Sequence, residues 1–268
     1  MLRLQNTSKR LLAAFIFFTR LPFWRLANVE AHYFERVVPL WPLVGWLTGG
    51  VMALVAWASV QLGFSLGTAI LLALVARVLV TGALHEDGFA DFCDGFGGGT
   101  TRERTLEIMK DSHIGTYGVL GLILYYLLLW NLLMQVSVQG FTLAGTSLLN
   151  PFLFVAVDAA SKALSSTIIY FLPYARKAEE AKARIIYQKP TLKEALVTLV
   201  SGLLPLVILW DARMMAALII AALFCLGLFW FMKRRIQGYT GDCCGATFIL
   251  TELVFYLSII LFTTAIRN

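Results

Sequence analysis

An all-α, polytopic integral membrane protein of about seven transmembrane helices is the fold this sequence predicts, and three observations predict it. Hydrophobic residues fill 59% of the 268 positions and charged residues only 14%, against roughly 25% charged in a soluble domain. Apolar runs long enough to cross the hydrocarbon core of a bilayer recur along the whole chain. Lysine and arginine gather on alternate connections between those runs.

In chain order, Met1–Arg10 is basic and Leu11–Phe18 apolar but too short to span. With Thr19-Arg20-Leu21-Pro22 behind it, the segment 11–24 is expected at the interface or dipping in and returning. No small-residue cleavage site follows, so no cleaved signal peptide is expected. Spans are expected at about 37–62, 65–84, 114–138, 142–171, 192–210, 212–232 and 245–265. The stretch 114–171 has potential breaks at Gly140 and at Gly145–Pro151. Gly97-Gly98-Gly99 reads as a flexible hinge, after which Thr100 and Glu103 form a capping box opening a helix at Arg102. The whole of 1–268 reads as one membrane-embedded domain. Its parts are an N-terminal cytoplasmic or interfacial segment (1–36), an acidic loop and helix (85–113) and a basic cytoplasmic loop (173–193).

Of the 22 Lys and Arg residues, 18 lie in the N-terminal 36 residues and in the connections 85–113, 173–193 and 233–235. The positive-inside rule then puts the N-terminus and the long connections in the cytoplasm. The cations form no patch interleaved with aromatics, so the net charge of +6 reads as topology and nucleic acid is excluded as a partner. The four cysteines, Cys93, Cys225, Cys243 and Cys244, lack CxxC or Cys/His spacing, so neither zinc nor a disulfide framework is expected.

The chemistry concentrates in His85-Glu86-Asp87-Gly88-Phe89-Ala90-Asp91-Phe92-Cys93-Asp94-Gly95. Asp87, Asp91 and Asp94 fall within about 60° of one another on a helix. Three carboxylates that close repel unless a cation sits among them, and hard oxygen ligands suit Mg²⁺ or Mn²⁺ bridging to substrate phosphates. A solvated acidic face is the plain alternative. The apolar residues between the acids, and their place directly after a span, favour a metal or phosphate site. His85 reads equally as a base or as a hydrogen-bonded histidine at a helix start. Glu86 points off the acidic face.

Two further polar groups stand out. Arg104 and Lys110 supply cations for phosphate oxygens, and Asp111-Ser112 sits at the mouth of the next span. Thr240 and Asp242, flanked by Gly238, Gly241 and Gly245, sit at a helix start that suits an anion or metal, though a turn with an Asp cap explains the loop as well. Glu252 is an acid inside a span and on that ground a functional candidate. Asp158 and Lys162, four apart inside another span, can neutralise each other, and Arg77 can snorkel or pair with an acid.

These residues resemble a known family, the cobalamin synthases or adenosylcobinamide-GDP ribazoletransferases. The resemblance runs through Phe18-Thr19-Arg20-Leu21-Pro22, Tyr33 to Arg36, Pro42-Leu43-Val44-Gly45, Thr81-Gly82, His85-x-Asp87-Gly88-x-Ala90-Asp91-x-x-Asp94-Gly95, Arg104, Glu107-Ile108-Met109-Lys110-Asp111-Ser112, Gly115-Thr116-x-Gly118, Thr240-Gly241-Asp242-x-x-Gly245-Ala246 and Glu252-Leu253, while the loop after Tyr174-Ala175-Arg176 lacks the glycines common in the family. Glu86 departs from it, standing where many members have Leu. It implies a Mg²⁺-dependent transferase of late adenosylcobalamin synthesis in a bacterial or archaeal cytoplasmic membrane, with its site on the cytoplasmic side. The reaction joins adenosylcobinamide-GDP to α-ribazole or its 5′-phosphate and releases GMP. Asp87, Asp91 and Asp94 would hold the metal and His85 or an aspartate take the proton. Arg104, Lys110, Asp111, Ser112, Thr240, Asp242 and Glu252 would contact substrate. A homo-oligomer is compatible with it.

The rival readings lack their marks. A CDP-alcohol phosphotransferase needs an Ala-Arg pair and further aspartates beyond Asp87-Gly88-x-x-Asp91. An intramembrane prenyltransferase needs two Asn-Asp motifs, and a cation-coupled transporter has no use for a cytoplasmic aspartate triad.

Overall fold

The computed structural model describes residues 6–138, 150, 152–176 and 187–267. Within them the backbone is helical, with one isolated bridge between Tyr174 and Tyr239 and no strand. The helices are α1 (Asn6–Phe18), α2 (Trp41–Gln61), α3 (Leu66–Thr81), α4 (Leu84–Gly98), α5 (Arg102–Ile108), α6 (Thr116–Val138), α7 (Phe152–Ser166), α8 (Ile168–Phe171), α9 (Leu192–Leu209), α10 (Ala212–Ile236) and α11 (Gly241–Arg267). The breaks expected at Gly140 and Gly145 lie outside the described residues, as do residues 177–186 of the basic connection.

Among the described residues, six helical stretches are long and apolar enough to cross a bilayer. The seventh expected span differs from the sequence reading. With 16 residues, α3 reaches about 24 Å at 1.5 Å per residue, short of a hydrocarbon core of about 30 Å. It ends at Gly82 (φ +65°) and Ala83 (φ +57°), and the chain turns by 90° into α4. A left-handed Ala costs roughly 1–2 kcal/mol, so the surrounding packing must hold the turn in place. Arg20 does part of this: its amide donates to the Val80 carbonyl (2.7 Å), and its side chain crosses Gly82, where an added Cβ would lie 2.3 Å from Nε.

The centre of the bundle is α7, flanked by α2 and α9, with α11 alongside. The window of α7 is 78% buried and that of α11 67%, against 28% for α6, α9 and α10, whose outward faces carry exposed leucines such as Leu124, Leu199 and Leu223. Between apolar helices in lipid, close packing must replace the hydrophobic effect, and small residues permit it. Gly45 and Gly49 of α2 lie flat on α7: an added Cβ would meet Ala159 Cα and Val155 Cα, each at 2.7 Å. The short α1, expected near the interface, buries Ala13, Ala14 and Phe18 and packs on the start of α2 and on the 3₁₀ turns before it.

The four cysteines are free, as expected. The acidic stretch is no exposed loop: α4 packs along α11 and α6, which makes it part of the helical bundle.

Candidate active site

The bend between α3 and α4 aims the start of α4 at the start of α11. Their contact is made by glycine on both sides. A Cβ on Gly88 would lie 3.0 Å from Asp242 Cα, and one on Gly245 would lie 3.0 Å from the His85 carbonyl oxygen. Two helix N-termini thus open on the same place, each with the positive end of its dipole. A cavity of about 320 Å³ lies there, at the small end of the usual range for ligand sites of roughly 300–1,000 Å³.

Asp87, Asp242 and Arg176 are its charged walls. Asp87 is exposed on the first turn of α4. Asp242, in the first turn of α11, accepts a hydrogen bond from the Thr240 hydroxyl (3.3 Å), whose oxygen also accepts from the Cys243 amide as the helix cap (3.4 Å). Arg176 is held next to α11 by the bridge beside it. Ala175 N–H donates to Tyr239 O (2.8 Å) and Tyr239 N–H to Pro173 O (3.0 Å), with Gly238 leaving room for the crossing. Its guanidinium donates to the Leu106 carbonyl (2.8 Å), which leaves further N–H groups for an anion.

The remaining walls are mostly aromatic: Phe17 and Phe18 from α1, Trp41 from α2, His85 from α4, and Tyr174 and Tyr187. Phe18, Trp41 and His85 form a near-parallel group, with centroids 5.2 Å apart for Phe18–Trp41 and 5.5 Å for Trp41–His85. Both His85 Nε2 and Trp41 Nε1 are buried and find no hydrogen-bond partner among the described residues, a state that costs each of order 1–3 kcal/mol. Burial pushes the Tyr174 phenol up to about 12 and the Tyr187 phenol well above its usual value, so both remain hydrogen-bond donors at neutral pH.

The aspartate face expected on α4 is real, but its members have separate surroundings. Asp87 lines the cavity, Asp91 is half-buried and outside the lining, and Asp94 is buried. Asp94 caps α6: its carboxylate accepts the amides of Gly115 (2.7 Å) and Gly118 (2.9 Å). Gly115 and Gly118 are glycines because a Cβ at either would lie 2.5 Å from an Asp94 oxygen. The expected cage of Asp87, Asp91 and Asp94 is therefore not reproduced, and among the described residues no three His, Cys, Asp or Glu side chains converge on a metal position.

Burial and pairing differ among the other expected residues. Glu252 is 1% exposed, outside the cavity lining, and is bound by Arg77 (2.5 Å) and the Tyr125 hydroxyl (3.1 Å). Thr240 is fully buried and acts as a cap, with no surface for a phosphate. Arg104, Lys110, Asp111 and Ser112 are exposed outside the cavity. Arg104 pairs with Glu107 (2.7 Å), and Asp111, bonded by the amide and ring of His113, is held below the usual carboxylate range. In the glycine run 97–99, Gly97 and Gly98 end α4 and Gly99 caps it; Gly97 lies on the Tyr117 ring, and Gly99 on Thr105 and the Gly95 carbonyl. Thr101, one residue later than expected, caps α5 by accepting from the Arg104 amide. The Asp158–Lys162 pair forms as expected, with Thr48 joining it.

Arg176 and the aromatic walls escaped the sequence reading. Arg176 directly follows the end of a span within Tyr174-Ala175-Arg176, and Phe18 opens Phe18-Thr19-Arg20-Leu21-Pro22. Those two motifs were the available signal.

A family model described as CobS, cobalamin-5-phosphate synthase, matches residues 10–260. Among curated proteins, the chain is 36% identical over 245 residues to an adenosylcobinamide-GDP ribazoletransferase of Shewanella baltica (strain OS185), covering 91% of each chain. It is 38% identical over 249 residues to the protein of that name from Shewanella frigidimarina (strain NCIMB 400), covering 92% of each. A third, from Shewanella sp. (strain W3-18-1), is 34% identical over 250 residues with 93% of each covered. No solved structure matches the chain significantly.

The division between Asp94 and Asp87 is testable by thermal unfolding in detergent. Asp94→Ala removes two charge-assisted hydrogen bonds and should cost about 2–3 kcal/mol, lowering the midpoint by several degrees. Asp87→Asn should leave the midpoint unchanged.

Proposed function

The chain belongs to the cobalamin-5-phosphate synthase family, and we propose that it joins adenosylcobinamide-GDP to α-ribazole or its 5′-phosphate in the membrane and releases GMP at the cavity between α4 and α11. The single observation that carries the placement is the convergence of two helix N-termini, Asp87, Asp242 and Arg176 on one cavity.

In the reaction, a ribazole hydroxyl oxygen attacks the phosphorus on the cobinamide arm. The bond from that phosphorus to the bridging oxygen of the diphosphate breaks, and GMP leaves with that oxygen. Phosphoryl transfer needs positioning and neutralisation of the phosphate oxygens more than covalent help. Arg176 binds a phosphate oxygen by the N–H groups not spent on Leu106, and the amides at the starts of α4 and α11 add dipolar stabilisation. Asp87 or His85 is placed to accept the hydroxyl proton, and the protonated Tyr174 donates to oxygen at the rim.

The donor set fits Mg²⁺ in its common mode, with one or two carboxylates completed by water and substrate phosphate. Asp87 and Asp242 would hold it, and when bound it supplies Lewis-acid neutralisation of the diphosphate. Asp91 adjoins this pair on the α4 face, whereas Asp94 is committed to α6. By the positive-inside rule, the cavity, next to the basic connections around Arg176 and α5, faces the cytoplasm.

Purified protein in lipid, given adenosylcobinamide-GDP, α-ribazole and Mg²⁺, should release GMP in step with a cobalamin product, and chelation should stop it. Asp87→Asn and Asp242→Asn should each lower kcat by about 10²-fold or more, and Arg176→Ala should lower kcat/KM comparably. No GMP from a folded preparation contradicts the reading. Orientation is checked by Lys110→Cys, which should react with an impermeant maleimide in inverted vesicles and not in intact cells.

A further inference from the structure

Both halves of the reaction cannot occupy the enclosed part of this cavity, and its walls discriminate between them. The charged groups Asp87, Asp242 and Arg176 belong to α4, α11 and the 174–176 segment. Opposite them, α1 and α2 contribute aromatic rings only, with no charged side chain in the lining. At about 320 Å³ the space suits a nucleoside and is far too small for a corrin macrocycle, which has several times the area of a bicyclic base.

We propose that this aromatic side is the seat of the α-ribazole base, with Trp41 and Tyr187 as its specificity-determining residues; the proposal rests on the functional reading above. The base of α-ribazole is dimethylbenzimidazole, a flat, apolar bicycle. Offset stacking on aromatic rings is the contact such a ring makes best, and the near-parallel rings of Phe18, Trp41 and His85 line this side of the cavity. Trp41 is 2% exposed and His85 3%, so neither ring can tilt away, and the cavity is shaped before ligand arrives. Phe17 holds Tyr187 edge to face (6.1 Å), which places the Tyr187 ring at the aromatic wall. Among the described residues the buried ring nitrogens of Trp41 and His85 have no hydrogen-bond partner, a second mark of a ligand site, since buried polar groups are nearly always satisfied. The ribose then lies toward Asp87 and Asp242, and the corrinoid diphosphate reaches the same acids from the open side, past Arg176. The chain thereby selects its acceptor by base shape and its donor by charge.

The test is steady-state kinetics of GMP release with each substrate varied in turn. Tyr187→Leu and Trp41→Leu should raise KM for α-ribazole about tenfold, the worth of one base–aromatic stack, and shift KM for adenosylcobinamide-GDP by less than about twofold. Because Trp41 is a core residue and its variant can misfold, the wild-type enzyme supplies an independent readout. Free dimethylbenzimidazole should compete with α-ribazole and not with adenosylcobinamide-GDP. Competition with adenosylcobinamide-GDP instead, or Tyr187→Leu raising KM for that substrate alone, overturns the subsite and leaves the functional reading standing. Absence of wild-type turnover overturns both.

Discussion

The contact on which the rest depends is the glycine-on-glycine approach of α4 and α11. Gly88 lies on the backbone of Asp242, and Gly245 lies on the backbone of His85. Without a Cβ on either side the two helix starts come close enough to share one cavity. The 90° turn after α3 exists to reach this contact: a full-length straight span over 66–98 would carry the acids past α11. The turn is strained at Ala83, and it persists because Arg20 packs on it and α6 and α11 hold the α4 that follows. Strain of this kind is stored where a fold must aim functional groups.

The charges of the molecule divide into those that build and those that act. Arg77 with Glu252, and Lys162 with Asp158, are each about 1% exposed or less and tie α3 to α11 and stiffen α7. Unpaired, any one of them would be very costly inside a bilayer. Breaking a buried pair by removing one partner typically costs 3–5 kcal/mol. Phe248 touches both this network and the cavity wall, through Lys162 (4.0 Å) and His85 (4.9 Å). Asp94 is also a builder, although it stands seven residues from Asp87 in the same motif. Asp87, Asp242 and Arg176, by contrast, line the cavity.

Much of the fold was legible because hydropathy and positive charge are both periodic in the chain, and each periodicity checks the other. The site was legible in part. The aspartate stripe on α4 follows from helical spacing alone, yet spacing says nothing of what each carboxylate meets. The amides that occupy Asp94 come from residues 115 and 118, more than twenty positions on, and only the glycines hinted at them. Glu252 looked functional because a lone buried acid is expensive; its partner, Arg77, lies 175 residues away. Arg176 was hidden among the six cations of its connection. The aromatic wall is assembled from five separate segments, which no local pattern displays.

Because the account makes the closeness of α4 and α11 the condition for catalysis, the most direct measurement is kcat of Gly88→Ala in lipid, read beside its thermal midpoint. The added methyl reaches within 3.0 Å of Asp242 Cα and must push the two helix starts apart by a few tenths of an ångström. Reacting groups tolerate little misplacement, so kcat should fall about tenfold or more while the midpoint stays within a few degrees of wild type. A Gly88→Ala protein with undiminished kcat would contradict the account.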